Sequence, residues 1–162
     1  MKTLNSTLQN FACPESEQFM NGAILNLNSH KNSNLSEIFL KDLVLNFDGA
    51  LYSKNGPHLV TRVVKNICNV KINTEITSTR HCQGFHVLEQ NLCYPIEYEK
   101  WEDLLTVKNS YSVMKKVEKS LVVHFWNKFS KNKKVDVRSN VPYAQLARKS
   151  CPKLIKTCDE NF

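Results

Sequence analysis

The chain has 162 residues, 41% of them hydrophobic, and its 22 Lys and Arg exceed 15 Asp and Glu to give a net charge of +7. That apolar share suffices for one folded domain with a sizeable core, and no apolar run is long enough to cross a bilayer. Six cysteines, none in a Cys-x-x-Cys pair of the kind that clips zinc, point to an oxidising compartment.

In chain order, residues 1–20 are polar and unpatterned, with Leu4, Leu8 and Phe11 as the few buried candidates, and are expected to form a surface turn region. Neither the apolar core nor the cleavage site of a signal peptide is found there. Gly22, Ala23, Ile24, Leu25 and Leu27 then form a short apolar run ahead of a polar cluster, the pattern of a buried strand and its exit loop. With no side chain at Gly22 a ligand can approach the backbone, and the Asn21 amide offers donors and an acceptor to a hydroxyl-rich molecule; an ordinary loop-entry turn would read the same way.

An amphipathic helix is predicted over 36–47, with Phe39, Leu40, Leu43, Val44 and Phe47 as its buried stripe, Lys41 and Asp42 facing water, and Asn34 or Ser36 as its cap. Asp48-Gly49 ends it. Asn55-Gly56-Pro57 turns the chain into a second helix, where Pro57 pre-sets φ at the first helical position and first-turn N–H groups are left free to hold an anion or a sugar hydroxyl. Leu59, Val60, Val63, Val64 and Ile67 form its buried face, with Arg62 and Lys65 toward water.

Residues 83–88 are predicted as a strand, Tyr94-Pro95-Ile96 as an extended turn, and 99–105 as a short helix carrying Trp101. A second strand over 121–126 puts His124 and Trp126 on one face and Val123 and Phe125 on the other. A lysine-rich loop follows, then a closing helix over 142–149. Cys68 and Cys82 flank a polar loop and are the preferred disulfide, although spacing alone leaves connectivity open. Asn5-Ser6-Thr7 and Asn34-Leu35-Ser36 satisfy the glycosylation sequon. No paired carboxylates, hydrolase triad order, P-loop or dinucleotide fingerprint stands out.

The ordered set Asn21-Gly22-Ala23-Ile24-Leu25, Asn55-Gly56-Pro57-His58-Leu59-Val60-Thr61-Arg62, Tyr94-Pro95-Ile96 with Trp101, His124-Phe125-Trp126-Asn127-Lys128 and Cys151-Pro152 resembles the C-terminal region of the alpha-1,4-glycosyltransferases. The resemblance covers the chain from about Asn21 to Pro152. It implies an α/β chain forming the C-terminal part of a GT-A (Rossmann-like) fold, a mixed sheet with flanking helices, over residues 1–162 as a single domain. It also implies a retaining enzyme on the luminal side of the Golgi membrane, moving galactose or an N-acetylhexosamine from a UDP-sugar to a glycosphingolipid or other glycan acceptor.

By carry-over, Asn21, Gly22, Asn55, Gly56, Pro57, Trp126 and Asn127 would contact donor or acceptor sugars. His124 would sit near the diphosphate and complete a manganese site. Cys68, Cys82 and Cys151 fall where the family places cysteines, and Asn55 stands where the family commonly carries Gln. The family's Asp-x-Asp motif and N-terminal membrane anchor are absent from this sequence, so the chain alone is expected to be an incomplete, inactive fragment. Two other readings remain: the lysine cluster, interleaved with Phe125, Trp126, Phe129 and Tyr143, as a nucleic-acid-binding module, or a catalytically dead glycan-binding remnant. The transferase reading expects no nucleic acid partner.

Overall fold

A computed structural model describes residues 9–27, 34–70 and 81–158. They form a mixed α/β structure that divides into two compact units, one ending at Cys93 and the other beginning at Tyr94.

In the amino-terminal unit, β1 (Phe11–Pro14), β2 (Met20–Asn26), β3 (His81–Cys82) and β4 (Phe85–Val87) make a four-stranded sheet in the order β2-β1-β4-β3. β1 runs antiparallel to β2 and parallel to β4, with the His86 and Leu88 N–H groups donating to the Asn10 and Ala12 carbonyls. The expected surface turn before Met20 is therefore wrong. It contains a central strand whose Phe11, Ala12 and Cys13 are buried, too short to display an alternating pattern. The strand at Asn21–Leu27, expected to be buried, lies at the sheet edge instead, with Gly22 and Ala23 exposed. Of the strand expected over 83–88, residues 85–87 form β4, and residues 83–84 are the turn that pairs it with β3. Gln83 (φ 49°) and Gly84 (φ 87°) supply two successive left-handed residues between β3 and β4, the backbone a two-residue hairpin turn needs.

Two helices accompany the sheet, α1 (Leu35–Asn46) and α2 (Pro57–Cys68). α2 buries Leu59, Val60, Val63, Val64 and Ile67, as its spacing predicts, in one cluster with Ala12, Met20, Phe39, Phe85 and Val87. Each such side chain contributes roughly 1.5–3 kcal/mol relative to exposure. α1 departs from expectation: Phe39 is buried and Leu43 half-buried, but Leu40, Val44 and Phe47 are exposed, Val44 by 79%. Apolar residues occupy more of the circumference of α1 than α2 can cover. Asp42 and Arg62, both expected to face water, face each other across the two helices at 2.5 Å. Asn34 precedes α1 without making a side-chain cap.

Cys68 and Cys82 are bonded, tying the end of α2 to β3, and Cys13 and Cys93 form a second bridge from β1 to the short helix α3 (Gln90–Cys93). Cys151 and Cys158 are free thiols.

The carboxy-terminal unit comprises a 3-10 helix (Tyr98–Leu105), α4 (Ser110–Glu118), α5 (Asn127–Ser130), α6 (Pro142–Ser150) and α7 (Pro152–Ile155). α4 has no counterpart in the sequence reading, although Val113 and Val117, four apart, are its buried residues. Gln145 of α6 donates to the Ser110 hydroxyl, which in turn donates to the Asn140 carbonyl, joining α4 to the start of α6. Residues 121–126 form no helix or strand and join no sheet, so the strand expected there is absent. Among the described residues, no helix is long and apolar enough to cross a membrane.

Candidate functional site

The start of α2 is built from the loop before it. The Asn55 amide is engaged at both ends with the Asp48 backbone: its nitrogen donates to the Asp48 carbonyl at 2.8 Å and its oxygen accepts the Asp48 N–H at 3.0 Å. Ser53, with φ at 68°, turns its carbonyl to receive the N–H groups of Gly56 and His58. The Val60 N–H bonds the Gly56 carbonyl and Pro57 has no N–H, so of the first-turn donors expected to be free only that of Leu59 is left without a backbone acceptor.

Thr61 fastens this helix start to β2. Its hydroxyl donates to the Pro57 carbonyl at 2.7 Å and accepts the N–H of fully buried Met20 at 2.9 Å. The sequence reading missed this residue, yet a signal existed. A threonine inside an otherwise Leu/Val helix face bonds back to the carbonyl four residues earlier and keeps an acceptor lone pair for a neighbouring strand.

With β2 held there, Gly22 meets Gly56 and Pro57. A Cβ built on Gly22 would lie 3.7 Å from the Gly56 Cα and carbonyl carbon and 3.9 Å from the Pro57 nitrogen. These are ordinary van der Waals distances, so Gly22 lies directly against the helix start. A Cβ on Gly56, by contrast, would meet nothing within 4 Å, so the backbone at the helix start is open on that side. Asn21 donates to the Glu15 carboxylate and accepts the Ala23 N–H at 2.9 Å, which fixes its amide along the strand edge. The rings of Phe19 and His58, the latter named from the sequence only as part of the Asn55–Arg62 motif, stand 4.9 Å apart. Four predicted residues, Asn21, Gly22, Gly56 and Pro57, therefore share one corner of the amino-terminal unit, with Asn55 bracing the loop.

His124, Trp126 and Asn127 belong to the carboxy-terminal unit. Trp126 is buried, adopts φ of 51°, and donates its indole N–H to the Ile96 carbonyl at 3.1 Å. That donor is spent inside the protein. The His124 ring packs 4.4 Å from Trp126 and 5.6 Å from Tyr94, and its Nδ1 accepts the Trp126 backbone N–H at 3.1 Å. The proton of the neutral ring then sits on Nε2, leaving neither nitrogen a lone pair for a metal. Burial pushes the imidazole pKa below 6.5, which favours that neutral form. Among the described residues no group of three His, Cys, Asp or Glu is arranged to hold a metal ion. The donors around His124 do not fit manganese. Asn127, exposed, opens α5.

Around the lysine cluster, Trp101 and Phe129 stack with each other, and Lys133 and Lys128 lie over their rings at 5.8 Å. Those aromatic faces already have partners, which weighs against a base-stacking platform. Asn34 is exposed; Asn5 lies outside the described residues.

Similarity to known proteins identifies the class as glycosyltransferases. The chain belongs to the family defined by the alpha 1,4-glycosyltransferase conserved region, which matches residues 28–158 and so extends across both units. Among its relatives is lactosylceramide 4-alpha-galactosyltransferase of Homo sapiens, 27% identical over 145 residues that make up 90% of this chain and 40% of that protein. The Rattus norvegicus protein of the same name is 26% identical over the same length. Alpha-1,4-N-acetylglucosaminyltransferase of Homo sapiens is 26% identical over 118 residues, 70% of this chain. The chain thus spans about 40% of the length of the human and rat galactosyltransferases. No solved structure matches it.

Proposed function

We propose that this chain supplies a sugar-facing part of a retaining, GT-A-type transferase that moves a hexose, galactose or an N-acetylhexosamine, from a UDP-sugar to a glycosphingolipid or other glycan, forming an alpha-1,4 linkage. In that reaction the bond from the anomeric carbon to the diphosphate oxygen breaks and a bond to the acceptor oxygen forms. The acceptor hydroxyl loses its proton, and negative charge accumulates on UDP.

The observation that carries the reading is the open backbone at Gly56, beside Gly22 and held in place by Thr61 and the Asn55 brace. There the Leu59 N–H, the one first-turn donor without a backbone acceptor, and the positive end of the α2 dipole favour a hydroxyl or an anionic oxygen. Asn21 and Phe19 border the same corner and would orient the sugar ring. When bound, manganese would neutralise charge on the leaving diphosphate; no residue of this chain is assigned to hold it. His124 is assigned instead to positioning, by holding Trp126 in its left-handed conformation. Two disulfides and an exposed sequon asparagine at Asn34 support a luminal, Golgi setting.

The test is Gly56→Ala in this chain, read by titration with UDP-galactose and by thermal melting. The added methyl enters open space, so stability should change by no more than about 1 kcal/mol, while affinity should fall at least about tenfold. Unchanged affinity would remove Gly56 from the site.

A further inference from the structure

Four of the six cysteines are bonded within the amino-terminal unit, which leaves Cys151 and Cys158 as thiols in the carboxy-terminal one. They stand on either side of α7, Cys151 exposed and Cys158 half-buried, and both line the same cavity. That shared side follows from the helical path between them. The Ile155 N–H donates to the Cys151 carbonyl and the Cys158 N–H to the Leu154 carbonyl, each at 3.1 Å. Seven steps along the chain, at about 3.6 per turn, bring Cys158 round to the side of Cys151 after nearly two whole turns.

The same path keeps them apart. Seven steps of about 1.5 Å set the two Cα atoms roughly 10 Å from each other, beyond the ~7 Å that a disulfide can bridge. The bond is closed to α7 as it stands and open to it once the last turn unwinds. Little opposes that unwinding. α7 has four residues, far fewer than the ~12–15 at which a helix begins to hold itself. Pro152, Lys153, Leu154, Lys156 and Thr157 are all exposed, so backbone groups released there bond to water instead. We infer that Cys151 and Cys158 form a third disulfide, made at the expense of the last turn of α7. The inference does not rest on sugar transfer, since both thiols lie outside the unit that holds the Gly56 corner.

The oxidant is a small-molecule disulfide such as oxidised glutathione. The exposed Cys151 thiolate attacks one of its sulfurs, forming a mixed disulfide and releasing one glutathione thiolate. The Cys158 thiolate then attacks the Cys151 sulfur, which forms the ring and releases the second glutathione. Two protein thiols lose two electrons and two protons, and one glutathione disulfide becomes two glutathione thiols. A short tether gives an effective concentration on the order of 1 mM. At about 1 μM protein the ring should therefore exceed disulfide-linked dimers by about a thousandfold.

The test is incubation of the intact chain, its two disulfides in place, with oxidised glutathione, followed by alkylation and a non-reducing peptide map. The two free thiols should disappear, the mass should fall by two hydrogens, and tryptic peptides 150–153 and 157–162 should emerge joined. Amide exchange at Thr157 and Cys158 should accelerate as the ring forms. Cys158→Ser should stop at a single glutathione adduct on Cys151. Cys151→Ser should gain its adduct at least about tenfold more slowly, because the half-buried thiol is harder to reach. Four results would overturn the inference: wild-type thiols that stay free while Cys158→Ser takes up glutathione, two glutathiones on one wild-type chain, dimers in place of the ring, or a ring that leaves the Thr157 and Cys158 amides as protected as before.

Discussion

Replacing Thr61 with valine keeps the side-chain shape of the helix face and deletes one oxygen. That oxygen receives the Met20 N–H at 2.9 Å, and Met20 is fully buried, so water has no access to the stranded donor. Leaving a buried donor unsatisfied costs about 1–3 kcal/mol, against which the added methyl returns little because the site is already packed. For a chain of 162 residues a loss of 1 kcal/mol lowers the melting temperature by roughly 2–4 °C, so Thr61→Val should melt about 2–12 °C lower. Thr61→Ser, which keeps the oxygen, should fall nearer the lower end. Because the bond sets the place of β2 against α2, hydrogen exchange at the Met20 amide should also accelerate. A Thr61→Val protein that melts within 1 °C of wild type, with Met20 still protected, would refute the view that this hydroxyl holds the corner together.

Converting Cys68 and Cys82 to serine opens a loop of 14 residues, and urea unfolding should show a loss of roughly 3 kcal/mol; an unchanged midpoint would mean that the bridge does not constrain the unfolded chain. Gly84→Ala places a Cβ at φ of 87° and should cost on the order of 1 kcal/mol by the same measurement, with Gln83 and the hairpin otherwise intact. Burial holds the His124 pKa below 6.5, so on acidification the unfolded chain takes up this proton before the folded one. The stability contributed by this group is complete above about pH 6.5 and is lost as pH falls through the folded value. His124→Gln should flatten that part of the pH–stability curve, and an identical slope in the variant would show that another group is responsible.

The parts legible in the sequence were those with long, regular patterns. α2 was found with its buried face because five apolar residues repeat at helical spacing, and α6 because Pro142 opens it. β1 was missed because four residues, Phe-Ala-Cys-Pro, are too few to show a period; their burial comes from pairing on both sides. α1 misled in the opposite way. Its apolar residues wrap around the helix, and only the partner, α2, selects which are covered. At the candidate site, Gly22 and Gly56 were visible as glycines beside turns. Their mutual contact depends on a hydrogen bond between residues 41 apart, which no local pattern encodes. The tasks of Asn55 and Trp126 were hidden for a related reason: an amide or an indole N–H looks available to a ligand until the fold shows it bonded to Asp48 or Ile96.

Whether the Gly56 corner receives the donor sugar can be read from the amide ¹H–¹⁵N spectrum of the chain during titration with UDP-galactose. Saturable shifts at Gly22, Gly56, His58 and Leu59, persisting at high salt, are the predicted result. Shifts confined to the lysine-rich segment 128–134 and erased by salt, with the Gly56 corner unmoved, would contradict it.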